Sequence, residues 1–251
     1  MVKEIRLVYK QERKQLKNEY KEKKKILKEH YEEQFFEKEK TNVNNPPKRS
    51  VLEEIGNSIT HGLGSVFAIV ALIIMLISSK TIIQTIAAII YFVGLFIMFT
   101  MSCLYHAFKY GTAVKRLFRR FDYSSIYLLI GATFVPILLI FIGNTYGIIF
   151  VIIQWTIIIT GITFIGVFGP NKLRPLHITL YVVLGWSAIL LLPKMFSENM
   201  MLFNYILGGG IIYTLGIIPF AIKAKVSHFI WHFFVLFGAV VQFIGIYVCL
   251  Y

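Results

Sequence analysis

The chain has 251 residues, 57% of them hydrophobic and only 16% charged, with 22 Phe, 14 Tyr and a formal net charge of +13 at neutral pH. A mean hydropathy of +0.68 excludes an ordinary water-soluble globular balance. The two cysteines, Cys103 and Cys249, lie far apart in or beside apolar runs, which excludes a disulfide framework and a cysteine-rich metal motif.

Residues 1–50 carry fifteen Lys/Arg and nine Glu. No apolar stretch follows Met1-Val2-Lys3-Glu4-Ile5-Arg6, which argues against a cleaved signal peptide. From about Val8 to Glu39 the composition is Lys, Glu, Gln and Leu without Gly or Pro, so a solvated helix is expected. Its apolar stripe, Leu16, Tyr20, Leu27, Tyr31 and Phe35, is thin. Besides a plain charged helix, the pattern leaves open coiled-coil association and a basic helix on anionic lipid. Nucleic-acid binding is not supported, because the basic residues alternate with Glu instead of clustering with aromatic platforms. The segment 41–47, TNVNNPP, ends the helix as a linker. Residues 1–50 are thus expected to be a charged, helical cytoplasmic tail and linker whose protein partner the sequence does not identify, and 51–251 a membrane domain.

Seven apolar segments follow, at about 59–79, 82–104, 122–142, 146–168, 176–193, 200–221 and 229–250. Each has enough residues for about 27 Å or more of helix against a hydrocarbon core of roughly 30 Å. Only Gly143-Asn144-Thr145-Tyr146 separates the third from the fourth, and a hairpin is the better reading than one helix far too long to cross once. The runs are too long and continuous for barrel strands. The expected fold is therefore all-α, a seven-transmembrane helix bundle in the cell membrane.

Lys109, Lys115, Arg116, Arg119, Arg120, Lys172, Arg174, Lys223 and Lys225 fall in alternate loops, against Lys80 and Lys194 in the others. This asymmetry predicts a cytoplasmic N-terminus and an extracytoplasmic C-terminus. With that topology His61, Ser102, His106, Asp122, His177, His228 and His232 all fall at cytoplasmic helix ends, and Asp122 reads as the only acidic residue near the inner ends of the spans. His228 and His232 are four apart and share a helix face, as do Ser102 and His106, and Asn57 and His61. His177, after Arg174-Pro175-Leu176, reads as an interfacial residue.

Zinc favours tetrahedral imidazole coordination, and a catalytic site uses three protein ligands with water in the fourth position. His106, His228 and His232 supply three. Asp122 suits the role of general base toward that water, or of a group orienting a ligand imidazole, although the adjacent basic loop offers it a plain salt bridge. Ser102 and His61 are candidates for supporting the site or binding an oxyanion. A proton relay and a solvated polar cluster are the competing readings of the histidines.

Four stretches carry a resemblance. Glu53-Glu54-Ile55-Gly56-Asn57-Ser58-Ile59-Thr60-His61-Gly62, Ser102-Cys103-Leu104-Tyr105-His106, Asp122-Tyr123-Ser124-Ser125-Ile126-Tyr127 and Ser227-His228-Phe229-Ile230-Trp231-His232 occur in that order. Over roughly residues 50–251 the chain resembles the hemolysin III family, the bacterial branch of the progestin and adiponectin receptor family. The resemblance implies seven helices, a cytoplasmic N-terminus, and zinc held near the cytoplasmic side by His106, His228 and His232. It implies that Asp122 contacts the zinc-bound water, with Ser102 nearby and His61 as the histidine of the first span. The charged tail is longer than the resemblance leads one to expect.

Three functions compete at this point. The first is a zinc-dependent hydrolase acting through an activated water on membrane lipids, most plausibly an N-acyl lipid amide. The second is the pore-forming cytolysin that the family name suggests, which seven resident apolar spans fit poorly. The third is a membrane sensor or receptor with structural zinc.

Overall fold

The computed structural model describes residues 2–40, 44–222 and 224–251, with the side chains of residues 2–4, 7 and 32–40 left out; the side chain of Phe35, residues 41–43 of the linker and Lys223 therefore lie outside the described residues. Two compact units result, Met1–Asn45 and Pro46–Tyr251. The first contains helix α1, Val2–Lys40, which begins six residues before the expected start. Its Leu16, Tyr20, Leu27 and Tyr31 are exposed.

The second unit is all-α, and seven of its described segments are long and apolar enough to cross a membrane. The chain is thus a multi-pass integral protein of the cell membrane. In order they are α2 (Val51–Ser78), α3 (Ile82–Ala107), α4 (Ala113–Pro136) with a π-helical turn (Ile137–Ile142), α5 (Thr145–Phe168), a broken span, α8 (Met200–Ala221) and α9 (Ser227–Leu250). The broken span comprises α6 (Arg174–Trp186), a 3-10 turn (Ser187–Leu190) and α7 (Leu192–Glu198). Pro136, which has no N–H to give the ladder, marks the point where α4 passes into the π turn. Gly143, with φ 59°, ends that turn in the left-handed region, and Asn144 caps α5 by accepting from the Gly147 N–H at 3.2 Å. This is the hairpin read from Gly143-Asn144-Thr145-Tyr146.

Two helix starts differ from expectation, and both differences matter to the site. Helix α2 begins at Val51, not near residue 59, because Ser50 caps it by accepting from the Glu53 N–H at 3.2 Å. Helix α4 begins at Ala113, not 122, because Thr112 accepts from the Lys115 N–H at 3.2 Å. His61 and Asp122 therefore do not open their helices; they stand ten and nine residues inside. Lys115, Arg116, Arg119 and Arg120 are helical and not in a loop. At 28 residues α2 is about 42 Å long, more than the roughly 30 Å hydrocarbon core, so its first turns reach the polar boundary.

Packing is closest between α2 and α3, α3 and α4, and α8 and α9, whereas α6 touches α4, α5 and α8 only lightly. Apolar solvent cannot drive such contacts, so close approach and polar clasps decide them. A Cβ at Gly94 would stand 2.3 Å from the Ala132 Cβ and 2.8 Å from the Leu128 carbonyl oxygen. Gly94→Ala is expected to destabilise the bundle by about 1–3 kcal/mol, read as a lower unfolding temperature in detergent; an unchanged transition would refute this tight α3–α4 contact. At the end of the bundle away from the histidine cluster, the Gln84 amide donates to the Leu250 carbonyl at 2.8 Å, the Tyr251 hydroxyl donates to the Gln84 carbonyl at 2.9 Å, and the Ser78 and Tyr247 hydroxyls lie 3.1 Å apart. These clasps fix α9 lengthwise against α2 and α3. Its first turn is thereby set beside the end of α3.

Candidate metal centre

His106 is the penultimate residue of α3, and His228 and His232 occupy the first two turns of α9. Their ligand atoms lie within 4.8 Å of one another. The His228 Nε2 is 3.4 Å from the His106 Nε2 and 3.3 Å from the His232 Nε2. His106 and His232 are buried and His228 half-buried.

The outer side of two rings is already committed. The His106 Nδ1–H donates to the Glu54 carboxylate, with N···O 2.5 Å, and the Asn57 amide lies 3.3 Å from the same nitrogen. The His232 Nδ1–H donates to the Asn57 carbonyl at 3.2 Å. These partners select the tautomer whose Nε2 lone pair points inward. When the imidazoles are neutral, at most one proton, on His228, remains for three converging nitrogens, so lone pairs face one another unless a cation lies between them. Tetrahedral zinc with Zn–N bonds of about 2.0–2.1 Å holds its nitrogens about 3.3–3.4 Å apart, the separation seen for two of the three pairs. Three imidazoles backed by a carboxylate and a carbonyl thus fit a borderline-soft divalent metal.

Glu54 has a second task. Its other oxygen lies 2.9 Å from the Lys115 Nζ. That ammonium also donates to the Tyr105 carbonyl at 3.1 Å and the Phe108 carbonyl at 3.0 Å, so its three hydrogens are satisfied although the residue is only 1% exposed. Glu54 and Lys115 were not among the site candidates, and Asp122 is not the only acidic group near this end of the spans. The signals were present: Ser50-x-x-Glu53 marks a helix start, and Glu54, Asn57 and His61 at i, i+3 and i+7 share one face. Glu54→Gln keeps the side chain's shape but removes its charge. Zinc affinity is expected to fall about 10–100-fold, measured by competition with a chromophoric chelator; unchanged affinity would sink the orienting role.

The other candidates gather beside the histidines. His61 stacks on His232 with ring centroids 3.7 Å apart and planes 18° from parallel. Ser102 and Asp122 lie side by side on the cavity wall. His61, Ser102, Asp122, His228 and His232 all line one cavity of about 190 Å³ whose remaining walls, among them Met98, Leu129, Phe134 and Val235, are mainly apolar. His177 also lines it, 2.9 Å from the Tyr127 hydroxyl and 1% exposed, so it is buried rather than interfacial. Just before α9, Val226 adopts φ 58°, a left-handed conformation that a β-branched residue takes only under constraint.

Residues 49–243 match a family model described as Haemolysin-III related. The chain is 37% identical over 199 residues to "Hemolysin-3" of Bacillus cereus, covering 77% of this chain and 90% of the relative. It is 31% identical over 200 residues to "Hemolysin-3 homolog" of Bacillus subtilis (strain 168), covering 77% and 92%. With the human "Monocyte to macrophage differentiation factor" it shares 27% identity over 226 residues, covering 87% and 93%.

Proposed function

The chain belongs to the haemolysin-III related family, and from that footing we propose that it is a zinc-dependent membrane hydrolase cleaving the amide of an acyl lipid. His106, His228 and His232 would hold the metal through Nε2, with Glu54 and Asn57 fixing ring orientation. Zinc bound there supplies a Lewis acid that acidifies a water and polarises a carbonyl. The Asp122 carboxylate takes the proton of the attacking water and returns it to the departing amine. Ser102, beside Asp122 on the same wall, would help hold that carboxylate toward the cavity. His61 backs the His232 ring and holds it in plane. The apolar walls take the acyl chain and exclude bulk water from the reacting groups.

The observation that carries this reading is that a carboxylate, a serine and two of the three converging histidines open onto one largely apolar cavity. Two further parts of the reading are proposals of the same standing. The cytoplasmic placement of the N-terminus and of the site is supported by Lys109, Lys115, Arg116, Arg119, Arg120, Lys172, Arg174 and Lys225 lying toward one end of the spans and only Lys80 and Lys194 toward the other. Kinship with the wider progestin and adiponectin receptor group is supported by the four sequence motifs. The test is metal content by elemental analysis paired with fatty-acid release from a panel of N-acyl lipids. Full zinc with no release from any member of the panel would leave the sensor reading with structural zinc.

The relatives' names, which speak of hemolysin, favour one second reading, a pore-forming cytolysin. It requires added protein to release dye from liposomes, with leakage that survives Asp122→Asn. Seven apolar spans with closely approaching helices count against it.

A further inference from the structure

Arg174 and His177 are three residues apart at the start of α6 and share a helix face. That face continues through Ile178, Tyr181, Val182 and Gly185, and all six residues line the cavity. Its character changes along its length, from two basic groups at the N-terminal end of α6 to a mainly apolar surface beyond. A molecule lying against α6 therefore meets charge at one end and hydrocarbon at the other.

The His177 ring has a defined donor side. Its Nδ1 lies 2.9 Å from the Tyr127 hydroxyl, which has no other acceptor among the described residues, so the phenol donates to Nδ1 and the ring proton stands on Nε2. That Nε2 is buried and has no hydrogen-bond partner among the described residues. A buried donor without an acceptor is destabilising, and the residue that carries it is one of those lining the cavity. Tyr127 is itself fixed: a Cβ at Gly161 would stand 2.7 Å from its hydroxyl oxygen, so the α5 backbone closes against the phenol. Arg174 supplies the second donor group. Its guanidinium lies over the Phe220 ring, 5.4 Å from the centroid, and forms no ion pair among the described residues. The first turn of α6 has no side-chain cap, so its dipole adds to the same positive field.

We infer that Arg174 and the His177 Nε2–H form a subsite for the phosphoryl group of a lipid whose acyl chain lies along the apolar part of the same cavity. A planar guanidinium fork together with an imidazole donor suits the several oxygens of a phosphoryl group better than a single neutral hydroxyl. The subsite sharpens the substrate class to phosphorylated acyl amides. For the amide it rests on the hydrolase reading; for the phosphoryl group it does not.

The test uses full-length protein in a non-ionic maltoside detergent, which carries no competing phosphate. Four probes are titrated calorimetrically: N-oleoylethanolamine, its O-phosphate, its O-hemisuccinate and inorganic phosphate. The O-phosphate is expected to bind about tenfold or more tightly than the neutral amide, as charge-assisted hydrogen bonds require. Arg174→Gln should bring the two affinities together, Arg174→Lys should restore part of the preference, and Tyr127→Phe, which leaves the His177 tautomer unselected, should narrow the gap. Equal affinities in the unmodified protein, or a preference untouched by Arg174→Gln, would overturn the subsite. Equal binding of the hemisuccinate would overturn the phosphoryl class, and inorganic phosphate binding as tightly as the lipid phosphate would overturn the lipid source. Because the readout is binding, a protein that prefers the O-phosphate but cleaves no amide supports the subsite while refuting the hydrolase.

Discussion

Zinc content falls from about one atom per chain to near zero when His232 is replaced by alanine, since a structural or catalytic zinc site has few ligands to spare. The expected loss exceeds the roughly 10–100-fold attached to outer partners such as Glu54, because this ring is one of only three converging donors among the described residues. Its removal also frees the Asn57 carbonyl, which accepts its Nδ1–H, and uncovers the face on which His61 stacks. His232→Cys, which still offers a ligand atom, should retain part of the metal and so separates loss of ligation from loss of fold. The measurement is elemental analysis after gel filtration in chelator-free detergent. Zinc content unchanged in His232→Ala would remove this histidine from the centre.

Asp122→Asn has the second large effect, on a different quantity. The amide keeps the carboxylate's size and can still meet Ser102, but it cannot take a proton from water. Turnover of the best N-acyl lipid should drop by about 10²–10⁴-fold, the range for a lost general acid–base group, while zinc content stays close to that of the parent. Asp122 lines the cavity with His61, Ser102, His228 and His232, and the substitution leaves the three converging histidines themselves untouched. Retained turnover would end the assigned role of Asp122. Joint loss of zinc and turnover would instead make it a group that supports the metal site.

The seven spans were legible because each is a long apolar run, and length alone settles whether a helix can cross. Two members of the histidine cluster were legible for a local reason, since His228 and His232 at i and i+4 must share a face, and His106 followed from its position at the end of another span. The support of the site was harder to read. Lys115 counted as one more loop cation, yet its three acceptors come from Glu54, Tyr105 and Phe108, which sit on other segments. Burial of such a charge depends on tertiary contacts that no local pattern encodes. Glu54 was overlooked because α2 was taken to start where hydrophobicity starts, whereas its start is set by the Ser50 cap nine residues earlier in a charged stretch. His177 looked interfacial for the same kind of reason. Its partner Tyr127 lies fifty residues away.

The order in which the centre's parts enter the chain has its own consequence. Glu54 on α2, His106 on α3 and Lys115 on α4 come together from the first three membrane helices, while the other two histidines of the cluster lie on the last. During synthesis from the N-terminus the early helices can form a neutral, internally compensated nest around one imidazole, with Glu54 offsetting Lys115. That nest alone holds one ligand, too few to retain zinc. If the cluster holds a metal as proposed, its capture would wait until α9 is inserted and clasped at its far end through Gln84 and Tyr251. On the proposed function, zinc retention would report completed biogenesis, and chains that stall before the seventh crossing would remain metal-free however well their first helices pack.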